Sequence, residues 1–518
     1  DYQRSRGLGD VYKRQTYILA LDQGTSSSRA LVYDAAGTVV GSAQQSIDST
    51  YPQDGWVEQD PAMIWSSILA VGRQAIAAAN IAPAAITGIG ITNQRETTLL
   101  WERETSRTLY NAIVWQDRRS AAYCETLAQR RYPAGQADGQ DVAELIQHTT
   151  GLIIDPYFSS TKLAWLLDQT DADRNRARRG ELCFGTVDSF LVWHLTNGAR
   201  HVTDATNASR TQLFDIAQQC WSEPLLDLFN VPTAVLPEVL DCIADFGIAA
   251  PEWFGAPIPI FGIAGDQQAA LIGQACFDAG MSKSTYGTGC FVMTHTGEEI
   301  SRSSQQLLST VAYRIDGKPS YALEGSIFVA GVAIQWLRDQ LGLIEHAADT
   351  AEAFARTQGE THGVYVVPAF TGLGAPYWQP QARGLITGLT LDSDKDHLIT
   401  AFLQSVAYQT RTLLDAMAAD GAPVTTLRVD GGMVVNEAFC QFLCDVLDVP
   451  VQRPADVETT VRGAGVLAAI GAGLFADLQE AAALWRLGAD FVPTMPMAKR
   501  QALLAGYARA VAQTLTVT

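Results

Sequence analysis

Apolar positions recur along this chain with two periods, and the first segment shows the shorter one. Tyr17–Leu21 is an apolar strand pattern, and Arg29–Tyr33 resumes it after an interval of glycine and hydroxyl residues. With "DAAG" (Asp34–Gly37) as a second turn, three strands are predicted between Tyr17 and Ser46. The next stretch, "QDPAMIWSSILAVGRQAIAAAN", reads as a helix, with Asp60 as N-cap and Pro61 at the first helical position. Strands follow at Ile86–Ile91 and Thr97–Trp101. Three strands, a helix and a strand make a mixed α/β layer, not the alternating βαβ of a dinucleotide fold.

The second half repeats the theme. After the proline-rich "PEWFGAPIPIFG" (Pro251–Gly262), "SKSTYGTGCFVMTHTG" (Ser282–Gly297) reads as strand, glycine–hydroxyl turn, strand. A strand at Ser320–Leu323 and a helix from Gly331 are predicted next. Two α/β lobes, each with a Gly/Thr hairpin, imply a duplicated architecture with a cleft between the lobes. Pro/Gly-rich segments mark such junctions, which divides the chain into domains 16–257 and 258–518. Asp1–Gln15 ("DYQRSRGLGDVYKRQ") is basic, polar and aperiodic, and is read as a non-native or disordered extension.

Composition narrows the partners. The 518 residues hold 36 Lys+Arg against 55 Asp+Glu, a net charge of −19, which argues against nucleic acid or an anionic membrane as partner. No run of about 18 apolar residues exists, so no membrane insertion is expected. The eight cysteines form no C-x-x-C pair, and a reduced, cytoplasmic setting is expected. Cys440 and Cys444 fall on one helix face, and the sequon Asn207-Ala208-Ser209 is read as coincidence.

The hairpin turns carry the first chemistry. A tight glycine turn converges backbone N–H groups on one point, and Thr25, Ser26, Ser27 and Ser28 add hydroxyls, which makes a phosphate cradle. A carboxylate there, Asp22, would be repelled by phosphate unless a divalent cation sits between them, which implies Mg²⁺. The bland alternative is Asp22 capping its own turn, and the second turn, Gly287-Thr288-Gly289, weighs against it. No G-x-x-x-x-G-K-[ST] run exists, and Gly88-Ile89-Gly90 lacks the third glycine of a dinucleotide site. Gly463-Ala464-Gly465 reads as a close helix contact.

Three further stretches are candidates. In "GIAGDQQAALIGQ", Asp266 and Gln267 sit between a strand and an apolar helix, where Asp266 is either an N-cap or a general base. In "ITNQRETTLLW", Arg95 and Glu96 form either a solvated turn or a donor–acceptor pair for the hydroxyls of a small polyol. "RVDGGMVVNEAFCQF" ends a strand at Asp430-Gly431-Gly432 and enters a helix through Asn436, a place where a flat base or ribose can approach the backbone.

Taken together, "LALDQGTSSSR", "GITNQRET", "YNAIVWQDRR", "GLIIDPYFS", "DATNASRT", "GIAGDQQAAL", "TYGTGCF", "VPAFTGLGAPYW" and "RVDGG" resemble the glycerol kinases of the FGGY carbohydrate-kinase family, from about Tyr17 to about Gly473. The resemblance implies an α/β fold of two ribonuclease-H-like lobes of the actin/hexokinase type. It also implies ATP- and Mg²⁺-dependent phosphorylation of glycerol to sn-glycerol 3-phosphate. Thr25, Ser26, Ser27 and Arg29 would meet the nucleotide phosphates, and Thr288, Gly331, Gln335, Gly432 and Asn436 the rest of ATP. Arg95, Glu96, Tyr157, Asp266 and Gln267 would hydrogen-bond glycerol, with Trp115 and Phe291 flanking its carbons. Asp266 would be the base, and Asp22 with Asp266 would organise Mg²⁺.

Many bacterial relatives bind fructose 1,6-bisphosphate through a Gly-Gly-x-Arg loop. Here that segment is "EWFGAPIPI" (Glu252–Ile260), with no arginine, so insensitivity to the bisphosphate is expected. A homodimer or homotetramer is expected. Two rival readings are a kinase of the same fold for a sugar such as xylulose, and an actin- or chaperone-like ATPase that binds a protein partner.

Overall fold

The computed structural model describes residues 16–132, 139–379 and 381–516, and the N-terminal extension lies outside them. The strands of the two large sheets are numbered β1–β13, and the helices that matter to the site α1–α6.

The first sheet contains β1 (Tyr17–Gln23), β2 (Ser27–Asp34), β3 (Val39–Ser46), β4 (Ile86–Asn93), β5 (Ile248–Ala249) and β6 (Ile258–Gly265), in the order β5-β6-β4-β1-β2-β3. β1 pairs antiparallel with β2 and parallel with β4, and β4 pairs parallel with β6. Side chains alternate between the faces of a strand, and β1 is buried on both. Tyr17, Leu19 and Leu21 join a core with Ile64, Ile68 and Val71 of α1 (Pro61–Ala78), which opens on the expected Asp60 cap. Ile18 and Ala20 face a second cluster with Val461 and Ala468.

The second sheet contains β7 (Met281–Tyr286), β8 (Cys290–Gly297), β9 (Leu308–Ile315), β10 (Lys318–Ile327), β11 (Thr426–Asp430), β12 (Val451–Pro454) and β13 (Leu487–Phe491). Their order is β9-β10-β8-β7-β11-β12-β13. Within it, β10-β8-β7-β11-β12 repeats the pairing senses of β3-β2-β1-β4-β6: two antiparallel contacts, then two parallel ones. The duplication expected from the two hairpins is a property of the fold. Here α3 (Gly331–Asp339), α4 (Lys395–Ala419) and α5 (Glu437–Leu447) bury apolar side chains in one core.

Two details differ from the sequence reading. The ladder between β1 and β2 runs further into the hairpin than the apolar pattern does, with Asp22 opposite Arg29 and Gln23 opposite Ser28. Asp22, Ser27 and Ser28 therefore stand on strands, and only Gly24–Ser26 form the turn, closed by the Gly24 N–H donating to the Ser27 carbonyl at 2.9 Å. The boundary expected at residues 257 and 258 precedes β6, a strand of the first sheet, and the chain changes sheets between Gly265 and Met281. All eight cysteines are free, with Cys440 and Cys444 buried in α5, and the Asn207 side chain is buried against Asn93 and Asp204.

The lobes are joined by α2 (Asp266–Gly273) and α6 (Thr459–Gly471), which cross at backbone contact. A Cβ added at Gly463 would lie 1.8 Å from the Ala269 carbonyl oxygen, and one at Gly273 would lie 1.9 Å from that of Thr459. On the other side of α6, a Cβ at Gly90 would lie 2.0 Å from the Ala464 carbonyl oxygen. The close helix contact read from Gly463-Ala464-Gly465 is this crossing. A Gly463→Ala methyl has only backbone to displace, and overpacking of that kind costs about 1–3 kcal/mol. Thermal melting is expected to fall by several degrees in Gly463→Ala. It should not change in Gly432→Ala, where an added Cβ meets nothing within 4 Å.

Candidate active site

Residues from both lobes meet at the ends of the two hairpins. Thr25, in the turn after β1, accepts a hydrogen bond at 2.9 Å from the indole N–H of Trp115. The Trp115 ring stands edge-on to Tyr157, with centroids 5.5 Å apart, and to Phe291 of β8, at 6.2 Å. Trp115 and Phe291, expected to flank the carbon chain, are thus in contact, and Tyr157, expected to hydrogen-bond the acceptor, packs on the same indole. Lys162 fixes the loop under Tyr157 by donating to the carbonyls of Pro156, Tyr157 and Phe158. Burial, and then the negative charge of Glu96, push the Tyr157 phenol well above its ordinary range, so it is a neutral donor at this site.

Arg95 and Glu96 follow β4, and they are buried rather than a solvated turn. Glu96 has φ of 57°, a left-handed conformation that carboxylate residues adopt at a cost and that commonly marks a functional turn. The Arg95 guanidinium lies between three acceptors. Its Nε is 3.1 Å from Asp266 Oδ1, Nη1 donates to Glu324 Oε2 at 2.6 Å and to Gln268 Oε1 at 3.2 Å, and Nη2 donates to Glu324 Oε1 at 3.1 Å. Arg210 completes the group, donating from Nε to Glu96 at 2.6 Å and from Nη2 to Glu324 at 2.9 Å. Burial alone would raise the Glu324 carboxyl, but Arg210 and Arg95 hold it down at about 2. Arg210 and Glu324 escaped sequence reasoning. Arg210 sits in the quoted "DATNASRT" without an assigned role, and the visible signal for Glu324 was a lone acid in the apolar strand "YALEGSI".

Asp266 is the first residue of α2, after the N-cap Gly265, and its carboxylate accepts the Gln267 N–H at 2.7 Å while also pairing with Arg95. A side chain at Gly265 would collide with the Arg95 stem at 2.7 Å, which explains the glycine. Gln267 accepts a hydrogen bond from the buried Lys283 of β7, a second cation that the sequence reading passed over.

Of the residues expected around the nucleotide, Thr288, Gly331 and the turn that holds Gly432 are brought together. The carbonyls of Gly287 and Thr288 accept hydrogen bonds from the N–H groups of Ala330, Gly331 and Val332, which seats α3 on the second turn. The turn is therefore partly a helix cap, and not only a ring of donors. Gln335 is exposed one turn further along α3. Gly431, with φ of 93°, packs against Tyr286, whereas Gly432 faces open space. Asn436 caps α5 through the Phe439 N–H at 3.2 Å and also contacts Thr350. Arg29, opposite Asp22 in the ladder, pairs with Glu458 and with Gln44, and Gln44 in turn donates to the Ser27 hydroxyl at 3.0 Å.

The acidic pair fits a hard cation. Asp22 is pushed up to about 7 from an ordinary 3.8, by burial first and then by the charge of Asp266, against a smaller opposing pull from Arg29. Among the described residues no group of three or more His, Cys, Asp or Glu could enclose a metal. Two carboxylates that act on each other form a hard, all-oxygen donor set of the kind Mg²⁺ takes, since that ion rarely uses an all-protein cage.

Residues 17–273 match the N-terminal domain, and residues 283–472 the C-terminal domain, of the FGGY family of carbohydrate kinases. The chain is 56% identical over 498 residues to a glycerol kinase of Alcanivorax borkumensis, covering 96% of this chain and 98% of that one. It is 55% identical over 495 residues to glycerol kinase 1 of Pseudomonas aeruginosa, with the same coverage. The crystal structure of Plasmodium falciparum glycerol kinase with ADP superposes with a TM-score of 0.88 at 34% identity, covering 97% of this chain and 98% of that one. A xyloylose kinase of Brucella ovis shares the fold, with a TM-score of 0.81 at 24% identity over 97% of this chain and 98% of that one. The chain belongs to the FGGY family of carbohydrate kinases.

The raised Asp22 carboxyl has a consequence for stability. A carboxyl whose folded pKa exceeds its unfolded value destabilises the fold as pH rises from the lower value to the higher, and does so fully above it. With chelator present, Asp22→Asn is expected to melt above the wild type at pH 8. That advantage should shrink as pH falls through about 7 towards about 4. A difference that stays constant between pH 5 and pH 8 would contradict it.

Proposed function

We propose that this chain transfers the γ-phosphoryl group of ATP to glycerol, giving sn-glycerol 3-phosphate. The observation that carries the reading is the Asp266–Arg95 pair beside the Trp115, Tyr157 and Phe291 rings, at the junction of the two hairpins. Glycerol has three hydroxyls and three carbons, so its pocket needs fixed polar partners and a narrow apolar wall. Arg95, Glu96, Tyr157 and Gln267 supply the first, and Trp115 with Phe291 the second. The glycerol kinases at 56% and 55% identity support this substrate over a larger sugar.

In this reading Asp266 takes the proton of the attacking hydroxyl while Arg95 holds the carboxylate in place. Thr25, Ser26, Ser27 and Arg29 meet the phosphates, and Thr288, Gly331, Gln335, Gly432 and Asn436 hold the adenosine side, where Gly432 leaves room for a flat group. Asp22 and Asp266 would hold Mg²⁺, which neutralises charge on the phosphate oxygens when bound. Phosphoryl transfer is mostly positioning and charge neutralisation, so this set is sufficient.

The test is ADP release in a coupled assay with ATP and Mg²⁺, with glycerol, xylulose or no acceptor. Release that depends on glycerol supports the reading. Preference for xylulose would point to the sugar-kinase alternative, and equal release without acceptor to a partner-driven ATPase. Asp266→Asn is expected to lower kcat by roughly 10²–10⁴-fold with ATP binding retained, the usual worth of a general base. A loss under about threefold in a folded variant would remove Asp266 from that role.

Fructose 1,6-bisphosphate at millimolar concentration is expected to leave this activity nearly unchanged. In the segment that replaces the relatives' loop, Glu252 accepts a hydrogen bond from Asn197 and presents a carboxylate. The arginine beside it, Arg73, is engaged by the carbonyls of Glu252 and Trp253. Saturable inhibition in a titration of the glycerol assay would overturn this expectation.

A further inference from the structure

The acceptor site contains an ion-pair chain that exceeds what binding a triol needs. Its order is Asp266–Arg95–Glu324–Arg210–Glu96, with charges alternating along it. Four members come from the first lobe: Arg95 and Glu96 after β4, Asp266 after β6, and Arg210 just beyond the short helix Ala205–Ala208. Glu324 alone comes from the second, in the middle of β10, where it lies opposite Met293 of β8 and Leu308 of β9.

We propose that Glu324 is a positioning residue for the acceptor site, anchoring Arg95 and Arg210 across the two lobes. The inference rests on the glycerol-kinase reading of the site. Glu324 is 1% exposed and its two oxygens receive three hydrogen bonds from the two guanidinium groups. A carboxylate that grips both terminal nitrogens of an arginine fixes the plane of the guanidinium, which a single bond cannot do. With that plane fixed, the Arg95 Nε is the edge presented to Asp266, and one N–H of Nη2 is left over for an acceptor hydroxyl.

Arg210 is wholly buried, and its Nη1 has no partner among the described residues, although its guanidinium carbon is within 5.8 Å of the Tyr157 ring centroid. Buried ion pairs seldom repay their desolvation, and a well-packed apolar group of similar volume often serves stability as well. The spare N–H donors of Arg210 Nη1 and Arg95 Nη2 give this network a use that apolar packing could not supply. Without Glu324, Arg95 is free to turn both terminal nitrogens onto Asp266, withdrawing the donor and the carboxylate from the acceptor together. None of the residues proposed for the nucleotide hydrogen-bonds to Arg95, Glu324 or Arg210, so the loss falls first on the acceptor, and the Mg²⁺ site is reached only through Asp266.

The test uses the full-length chain with Glu324→Gln and Glu324→Asp, reading KM for glycerol and for ATP, kcat, and ADP binding by calorimetry. Glu324→Gln is expected to raise the glycerol KM at least tenfold, with the ATP KM and ADP affinity within about twofold of wild type. Glu324→Asp keeps the charge but shortens its reach, and should fall between the two. If Glu324→Gln does not fold, Glu324→Asp carries the test, with a glycerol KM raised severalfold and an unchanged ATP KM. A glycerol KM within twofold of wild type in a folded variant, or equal weakening of both substrates, would overturn the assignment. Wild-type protein that shows no glycerol-dependent turnover would overturn the underlying reading as well, which separates the two failures.

Discussion

The backbone-to-backbone crossing of α2 and α6 is the constraint on which the rest of the molecule depends. Three glycines, Gly90, Gly273 and Gly463, let a strand and two helices approach until carbonyl oxygens occupy the volume of a side chain. That contact seats α6 against β1 and β4 and leaves α2 directly beneath it. Because Asp266 is the first residue of α2, the height of the crossing sets the position of the carboxylate proposed as the base. Van der Waals contact at this distance rises steeply with displacement, so the crossing acts as a stiff joint. The charged network sits at one end of that joint, and the ion pair of Arg29 with Glu458, next to the first residue of α6, sits at another.

Electrostatics divides the site into two halves with opposite logic. Around Arg95, two guanidinium groups meet three carboxylates, and the Lys283 ammonium also acts on Glu324 and Asp266, so most of the charge is compensated within the protein. The phosphate half is left unbalanced, with Asp22 raised to about 7 by burial and a neighbouring carboxylate. A net charge of −19 makes that imbalance worse, because no general positive field draws an anionic substrate in. In the proposed reading an anion would bind there locally, through donors and a cation brought with the phosphates. The Arg95 cluster is held by its own ion pairs, whereas the Asp22 carboxyl is held up by burial and a like charge.

Most of the fold was legible because local signals agreed with tertiary structure. The Asp60-Pro61 cap, the three strands to Ser46, the Gly287–Gly289 hairpin and the Asn436 cap all appear where the pattern predicts them. The strand ends in the first hairpin were misread because Asp22 and Ser28 are polar where an apolar ladder was sought. Ser28 hydrogen-bonds the buried Ser67 hydroxyl of α1 and Asp22 lies opposite Arg29, and backbone pairing does not need apolar side chains. The place where the sheets change was also hidden. β6 is followed at once by α2, and no glycine–proline interval separates the lobes after Gly265. Arg210, Glu324 and Lys283 were missed for a deeper reason. A buried charge is recognisable only by its partner, and these partners lie 114 or 229 residues away for the two arginines of Glu324.

The two hairpins show what duplication does and does not preserve. Their strand orders and pairing senses agree, so the same backbone geometry delivers a turn to the same junction from each side. The turns then diverge. In the first, Thr25 keeps its hydroxyl on Trp115 and Asp22 stands on the adjoining strand, so the turn faces the reacting groups. In the second, Gly287 and Thr288 bind the first N–H groups of α3, so the turn shapes a wall for a neighbouring ligand. Neither role can be exchanged for the other, because the first needs a carboxylate beside the acceptor and the second needs backbone approach that a Cβ at Gly331 would block at 2.5 Å. In the proposed reading both substrates are held by residues from both copies of one fold, so transfer would require the two copies to be in register. Glu324 of β10, bonded to Arg95 and Arg210 of the other lobe, is a polar contact that senses this register at the reacting groups themselves.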